Sequence, residues 1–212
     1  MCLFESDSDL QFQNVIQYPK ISIKKNSFVF LTGRSGCGKS TYLKILNRTI
    51  LPTAGTVLYG GKNINSYPVL DYRKRVLLVP QEVFLIEGTV RQNFDFYSKA
   101  RSSECLSDQQ ILRFLEICCS NFTPQDVCNK MSGGERQRVF LAIFLSFANE
   151  VLLLDEPTAA LDDKTSIELM HNIKQYCKTQ GITAVCISHN AHLVDVFADA
   201  TIHLEGTKKN EH

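Results

Sequence analysis

The chain has 212 residues, 44% of them hydrophobic, and 23 Lys and Arg against 22 Asp and Glu give a net charge of +1. That length fits one large domain, or a core with an insertion. The near-balanced charge excludes a global electrostatic pull toward nucleic acid, and no nucleic-acid partner is expected.

In chain order, short apolar runs at 11–17, 28–32, 56–59, 76–79, 151–154, 183–187 and 201–204 read as strands. Helical patterns fall at 39–50, 89–94, 108–118, 133–147, 163–179 and 191–197. Runs such as Leu152-Leu153-Leu154 are apolar on consecutive residues, as in strands buried on both faces of a parallel sheet. The alternation of strands and helices gives the α/β class. Residues 82–149 contain helices and loops but no convincing strand, so they read as a helical insertion between two halves of a sheet. Residues 51–55 and 59–63 are turns. The expected organisation is one domain over 1–205, with the insertion at about 82–149 and a flexible tail at 206–212 that carries Lys208 and Lys209.

The stretch 139–148 is interrupted by Ser146 and is about half the ~20 residues a bilayer requires, so it reads as a buried helix. The N-terminus MCLFESDSDL lacks the charged and apolar regions of a signal peptide. Eight cysteines show no CxxC pair and no Cys/His metal spacing. They read as small buried hydrophobes and incidental thiols of a reducing, cytoplasmic protein.

The most informative segment is Gly33-Arg34-Ser35-Gly36-Cys37-Gly38-Lys39-Ser40, of the form GxxxxGK[ST]. It follows the apolar run Phe28-Val29-Phe30-Leu31-Thr32 and precedes a helical pattern. Glycines let backbone approach phosphates closely, and successive N–H groups form an anion-binding nest at the positive end of a helix dipole. Lys39 is expected to reach the β- and γ-phosphates, and the Ser40 hydroxyl to ligate Mg²⁺. A second segment, Val151-Leu152-Leu153-Leu154-Asp155-Glu156-Pro157, ends a buried strand in two carboxylates at the edge where α/β sheets bind ligands. Asp155 is placed to hold Mg²⁺, and Glu156 to polarise a water for attack on the γ-phosphate. A third, Met131-Ser132-Gly133-Gly134-Glu135-Arg136-Gln137-Arg138, puts a hydroxyl and two glycines ahead of a helix. Ser132 and Glu135 also have the spacing of a capping box.

This third segment resembles the signature motif of ABC-type ATPases, with Met131 where Leu is usual. Other motifs of that family follow in order over residues 10–205. Gln81 is similar to the glutamine loop, Ala160-Leu161-Asp162 to the D-loop, and His189 to the switch histidine. The resemblance implies a P-loop NTPase core of mostly parallel strands flanked by helices, an N-terminal antiparallel β part and an inserted helical subdomain. It implies ATP and Mg²⁺ as cofactors. The nucleotide would be held by Gly33, Arg34, Ser35, Gly36, Cys37, Gly38, Lys39, Ser40 and Thr41. Ser132, Gly133, Gly134 and Asp162 would reach the nucleotide of a second copy in a head-to-tail homodimer. Ser40, Gln81 and Asp155 would hold the metal. Glu156, His189, Lys39 and Gln81 would act in hydrolysis.

The family stacks an aromatic ring on adenine, for which Tyr18 is the candidate and Phe12 the alternative. Asn26-Ser27 replaces the usual Gly-Glu turn, and Asn tolerates the left-handed backbone that such a turn needs. The resemblance also implies a separate transmembrane permease subunit, contacted near 82–96 through Val83, Phe84, Leu85 and Ile86, at the inner face of the cell membrane. The segment 84–90 is similar to that of exporter ATPases, but 124–130 lacks the exporter-type acidic-glycine loop, so transport direction stays open. A non-transport ABC-type ATPase and a small-molecule kinase are the alternatives, and a kinase leaves the Ser132 motif unused.

Overall fold

The structure, a computed structural model, describes residues 1–13 and 15–205. Asn14 and the expected tail with Lys208 and Lys209 lie outside the described residues. The first half of the chain contains β1 (Cys2–Ser6), β2 (Gln11–Phe12), β3 (Ile16–Gln17), β4 (Ile21–Lys24), β5 (Phe28–Thr32), α1 (Lys39–Leu46), β6 (Val57–Tyr59), β7 (Lys62–Asn63), α2 (Val69–Arg75) and β8 (Val76–Val79). Then come α3 (Val90–Ala100), α4 (Asp108–Ile117), α5 (Gly133–Leu145), β9 (Val151–Asp155), α6 (Asp163–Gln180), β10 (Thr183–Ile187), α7 (Ala191–Phe197) and β11 (Ala200–His203).

Five strands form a parallel sheet in the order β11-β5-β10-β9-β8. Successive side chains of a strand point to opposite faces. Phe28 and Phe30 therefore join Leu152, Leu154, Ala184 and Cys186 in the core beneath α5 and α6. Val29 and Leu31 join Leu153, Val185 and Ile187 in a second core on the other face. That second core is closed by α1, through Tyr42, Leu43 and Leu46, and by an antiparallel sheet in the order β4-β1-β6-β7. Burial on both faces is why these strands are apolar without alternation.

α3, α4 and α5 all lie between β8 and β9, which are neighbours in the parallel sheet. Between residues 82 and 149 the chain thus contains these helices and connecting loops. The helix α5 buries Val139, Leu141, Ala142 and Ile143, so 139–145 belongs to a core helix, which ends at Leu145 ahead of residue 148. No helix among the described residues is long and apolar enough to cross a membrane. All eight cysteines are free.

Several elements differ from the sequence reading. The run 11–17 is a hairpin, with Gln11 opposite Gln17 and Phe12 opposite Ile16, and Gln13 turns the chain at φ 53°. β1 and β4 were not anticipated. β4 alternates buried Ile21 and Ile23 with exposed Ser22 and Lys24 because it is an edge strand covered on one face. α2 also escaped the pattern, because it buries only Tyr72. α1 stops at Leu46 rather than residue 50, and α3 continues to Ala100 rather than residue 94. Asn26 takes φ 60°, the left-handed turn expected before β5, and its N–H donates to Thr183 Oγ1 at 2.9 Å.

Asp199 joins three elements. Its Oδ2 accepts from the Phe28 N–H at the start of β5 (2.8 Å), and its Oδ1 accepts from Lys174 of α6 (2.7 Å). Partial burial pushes its pKa up, but the Lys174 and Phe28 hydrogen bonds outweigh this and hold it below the ordinary value. A carboxyl with a depressed native pKa stabilises the fold above its unfolded pKa, and that stability is lost as pH falls through the native value. Asp199→Asn should therefore flatten the acid limb of stability against pH, measured by urea unfolding between pH 7 and pH 3. Parallel losses in both proteins would rule out this linkage. Leu153→Ala, at a fully buried position, should cost about 2–5 kcal/mol, read from the urea midpoint at constant slope.

Candidate functional site

Because β5, β8, β9 and β10 are parallel, their carboxyl ends emerge on one edge of the sheet. The loop 33–38 leaves β5 there and runs into α1. Arg34, Ser35 and Gly36 are exposed, while Cys37 is buried. Gly38 has φ 96°, and a Cβ at this position would come within 2.9 Å of Ile16 Cγ2 and the Tyr18 hydroxyl, so only glycine fits. Lys39 curls over the loop, donating to the carbonyls of Gly33 (2.9 Å) and Arg34 (3.0 Å). Thr41 sits half-buried in the first turn of α1.

The adenine-stacking role expected of Tyr18 is not compatible with its position. Its ring is 1% exposed and packs on Tyr42 with centroids 5.1 Å apart. Its hydroxyl donates to the Gly38 carbonyl at 3.0 Å, supporting the phosphate loop from inside the core. Phe12 is half-buried against the same core. A cavity of about 420 Å³ beside the loop is lined by Val15, Ile16, Arg34, Ser35, Gly36 and Cys37, together with Glu205. Its apolar wall is aliphatic.

Ser40 and Asp155 meet: the Ser40 hydroxyl donates to Asp155 Oδ1 at 3.0 Å. Burial pushes the Asp155 pKa up against the opposing Ser40 bond, and the adjacent Glu156 charge adds to the rise. These two side chains offer hard oxygen donors of the kind Mg²⁺ accepts when phosphates and waters complete its shell, so the pair fits that ion.

Glu156 follows at φ 52°, a left-handed backbone uncommon outside glycine. Gln81 Nε2 donates to its Oε2 at 3.1 Å, and His189 Nε2 stands 3.0 Å from its Oε1. The ends of β8, β9 and β10 thus bring Gln81, Glu156 and His189 together. Gln81 contacts Glu156 rather than the Ser40–Asp155 pair with which it was expected to bind metal.

Ser132 N-caps α5 through a reciprocal capping box. The Glu135 N–H donates to Ser132 Oγ at 3.4 Å, and the Ser132 N–H donates to Glu135 Oε2 at 2.7 Å. Met131 is buried in the core, which explains why it can stand for Leu. Gly133 faces open space. No hydrogen bond joins this turn to the loop 33–41 among the described residues. Asp162 N-caps α6, accepting from Thr165 N–H (2.9 Å) and Thr165 Oγ1 (2.7 Å), and these bonds lower its pKa.

One residue near this constellation had not been singled out. Gln137, on α5, reaches the backbone of both Glu156 and Ala160. Its signal was a polar residue three positions after Gly134, on the same helix face, two positions ahead of the apolar run 139–145.

With this geometry in view, residues 16–159 match the family model described as ABC transporter. The chain belongs to the ABC transporter family. It is an ABC-type ATPase, binding and hydrolysing ATP. The probable iron export ATP-binding protein FetA of Escherichia coli (strain K12) is 33% identical over 214 residues, spanning 95% of this chain and 93% of that protein. ABC transporter I family member 17 of Arabidopsis thaliana is 37% identical over 180 residues, 84% of this chain and 68% of that one. A dimeric post-hydrolysis structure of the ATP-binding cassette MJ0796 bound to ADP and Pi superposes with TM-score 0.81 at 25% identity. It covers 99% of this chain and 98% of the other.

An aromatic ring stacked on a base contributes about 1–3 kcal/mol, and no aromatic lines the cavity beside the loop among the described residues. ATP and GTP should therefore displace a fluorescent nucleotide analogue with Kd values within about threefold, since 1.4 kcal/mol corresponds to a factor of ten. A preference for ATP of tenfold or more would show another base-reading group.

Proposed function

We propose that this ABC ATPase is the energy-supplying subunit of a transporter, acting as a head-to-tail homodimer on a separate membrane-spanning subunit at the inner face of the cell membrane. The observation that carries the reading is the separation of two phosphate-type sites in one chain. The loop 33–40 and the turn 132–134 both present bare N–H groups and hydroxyls at helix starts, yet they share no hydrogen bond. A second copy brings the turn of one molecule to the loop of the other, and nucleotide then links the two copies.

In this arrangement Lys39 exchanges its loop carbonyls for phosphate oxygens. Ser40 and Asp155 would hold Mg²⁺, which would supply charge neutralisation at the phosphates. Glu156 accepts the proton of the attacking water, and His189 orients that water and the γ-phosphate. Gln81 donates to Glu156 and so holds the carboxylate's direction at the point where the chain enters the insertion. Ser132, Gly133 and Gly134 close the site from the second copy. Asp162 lies in the loop that follows Glu156 and borders the same interface. Loss of the γ-phosphate removes the link and opens the dimer, a shift between two states driven by their different affinity for ATP.

The contact with the membrane subunit falls on the insertion. Of the apolar residues expected to be exposed there, Leu85 is buried and Val83 packs against the core. Phe84 remains 57% exposed and Phe96 41% exposed, with rings 6.3 Å apart. This aromatic pair supports docking of a short apolar segment from the partner.

Glu156→Gln tests the reading. ATP turnover should fall by about 10²–10⁴-fold, while ATP binding persists and light scattering finds a dimer in Mg-ATP. Turnover at the unmodified rate would show that Glu156 is not the base. A variant that stays monomeric with saturating Mg-ATP and the membrane subunit present would exclude the shared site.

A further inference from the structure

Gln137 is 7% exposed in a helix whose following residues, Val139 to Ile143, are all buried. Its side chain leaves the helix to bridge two backbone groups. Nε2 donates to the Glu156 carbonyl (3.2 Å), and Oε1 accepts from the Ala160 N–H (3.2 Å). The partners fix the amide's orientation, since a carbonyl requires a donor and an N–H requires an acceptor. One turn earlier in α5, Gly134 lies against the same loop. A Cβ there would come within 2.8 Å of the Ala160 carbonyl oxygen and 3.0 Å of Leu161 Cδ2. The segment 156–161 is thus seated on the face of α5 formed by positions 134 and 137.

Glu156 needs such a support. Its φ of 52° is unfavourable for a residue with a Cβ and persists only where the surroundings over-determine it. A donor on its carbonyl fixes the orientation of the peptide plane that follows, and with it the direction in which the side chain leaves the strand end.

We propose that Gln137 is a positioning residue. It holds Glu156 in its left-handed conformation and ties the loop leading to Asp162 onto the helix that begins with Ser132. Movement of α5 when its serine–glycine turn engages one nucleotide is thereby transmitted to the carboxylate that works on the other. This rests on the reading of Glu156 as the base.

The test uses Gln137→Met, which keeps length and helix propensity but makes neither hydrogen bond, and Gln137→Asn, which keeps the neutral amide on an arm one methylene shorter. Displacement of a catalytic group by about 1 Å costs on the order of a hundredfold. Gln137→Met should lower kcat by about tenfold to a hundredfold, with KM and the Kd of a fluorescent nucleotide unchanged within twofold. Gln137→Asn should fall between Gln137→Met and the unmodified chain, and it serves as the test if the methionine variant does not fold.

A double-mutant cycle separates the route. In the Glu156→Gln background, Gln137→Met should remove no further turnover. A full, multiplicative loss there overturns positioning through Glu156. An unchanged kcat in Gln137→Met and Gln137→Asn, beside a strong loss in Glu156→Gln, overturns the role of Gln137 while leaving the base in place. Unmodified turnover in Glu156→Gln itself refutes the base reading instead.

Discussion

A parallel sheet buried on both faces has only its strand ends available for chemistry, and this constraint organises the molecule. Helices α5 and α6 cover one face, and α1 with the antiparallel sheet covers the other. The polar side chains that gather around Asp155 and Glu156 within one copy are therefore delivered from the carboxyl edge. β5 supplies the phosphate loop, β9 the pair Asp155 and Glu156, β10 leads to His189, and β8 leads to Gln81. Since β10 lies between β5 and β9, and β8 lies beside β9, residues far apart in sequence converge at this edge.

Each site group is held by contacts that oppose a local cost. Asp155 is desolvated, and the Ser40 hydroxyl offsets part of that penalty. Glu156 adopts an unfavourable backbone angle and is gripped at both carboxylate oxygens and at its carbonyl. The phosphate loop carries glycines that leave it little side-chain packing of its own, and Tyr18 supplies a hydrogen bond from the core to its last residue before α1. Preorganisation of this kind places donors and acceptors before the reaction begins, which is how electrostatic stabilisation becomes effective.

Much of this was legible in the sequence because the signals were local. A glycine-rich loop between an apolar run and a helix specifies its own geometry, and Leu152-Leu153-Leu154 declares a strand covered on both sides. What failed depended on which face a residue presents. Tyr18 carries the ring that base stacking needs, but the hairpin turns that ring inward onto Tyr42. In 83–86, adjacent residues split between core and solvent, with Leu85 inside and Phe84 outside, and composition alone does not reveal the split. β1 and β4 were hidden by half-polar alternation, and α2 by burying a single tyrosine. Gln137 was overlooked because a glutamine in a helix usually points to water; only the fold shows its amide spanning two loop positions.

The complete burial of β9 and β10, five consecutive residues in each, has a consequence for how the molecule breathes. Backbone amides in such strands exchange with solvent only when a protein opens globally, whereas exposed helical segments open locally at lower free energy. Asp155 is thus mounted on the slowest-exchanging part of the chain, while the insertion carrying Phe84 and Ser132 has more exposed surface. The strand end that carries Asp155 behaves as an anvil, and the segment that carries Phe84 and Ser132 retains freedom to move against it.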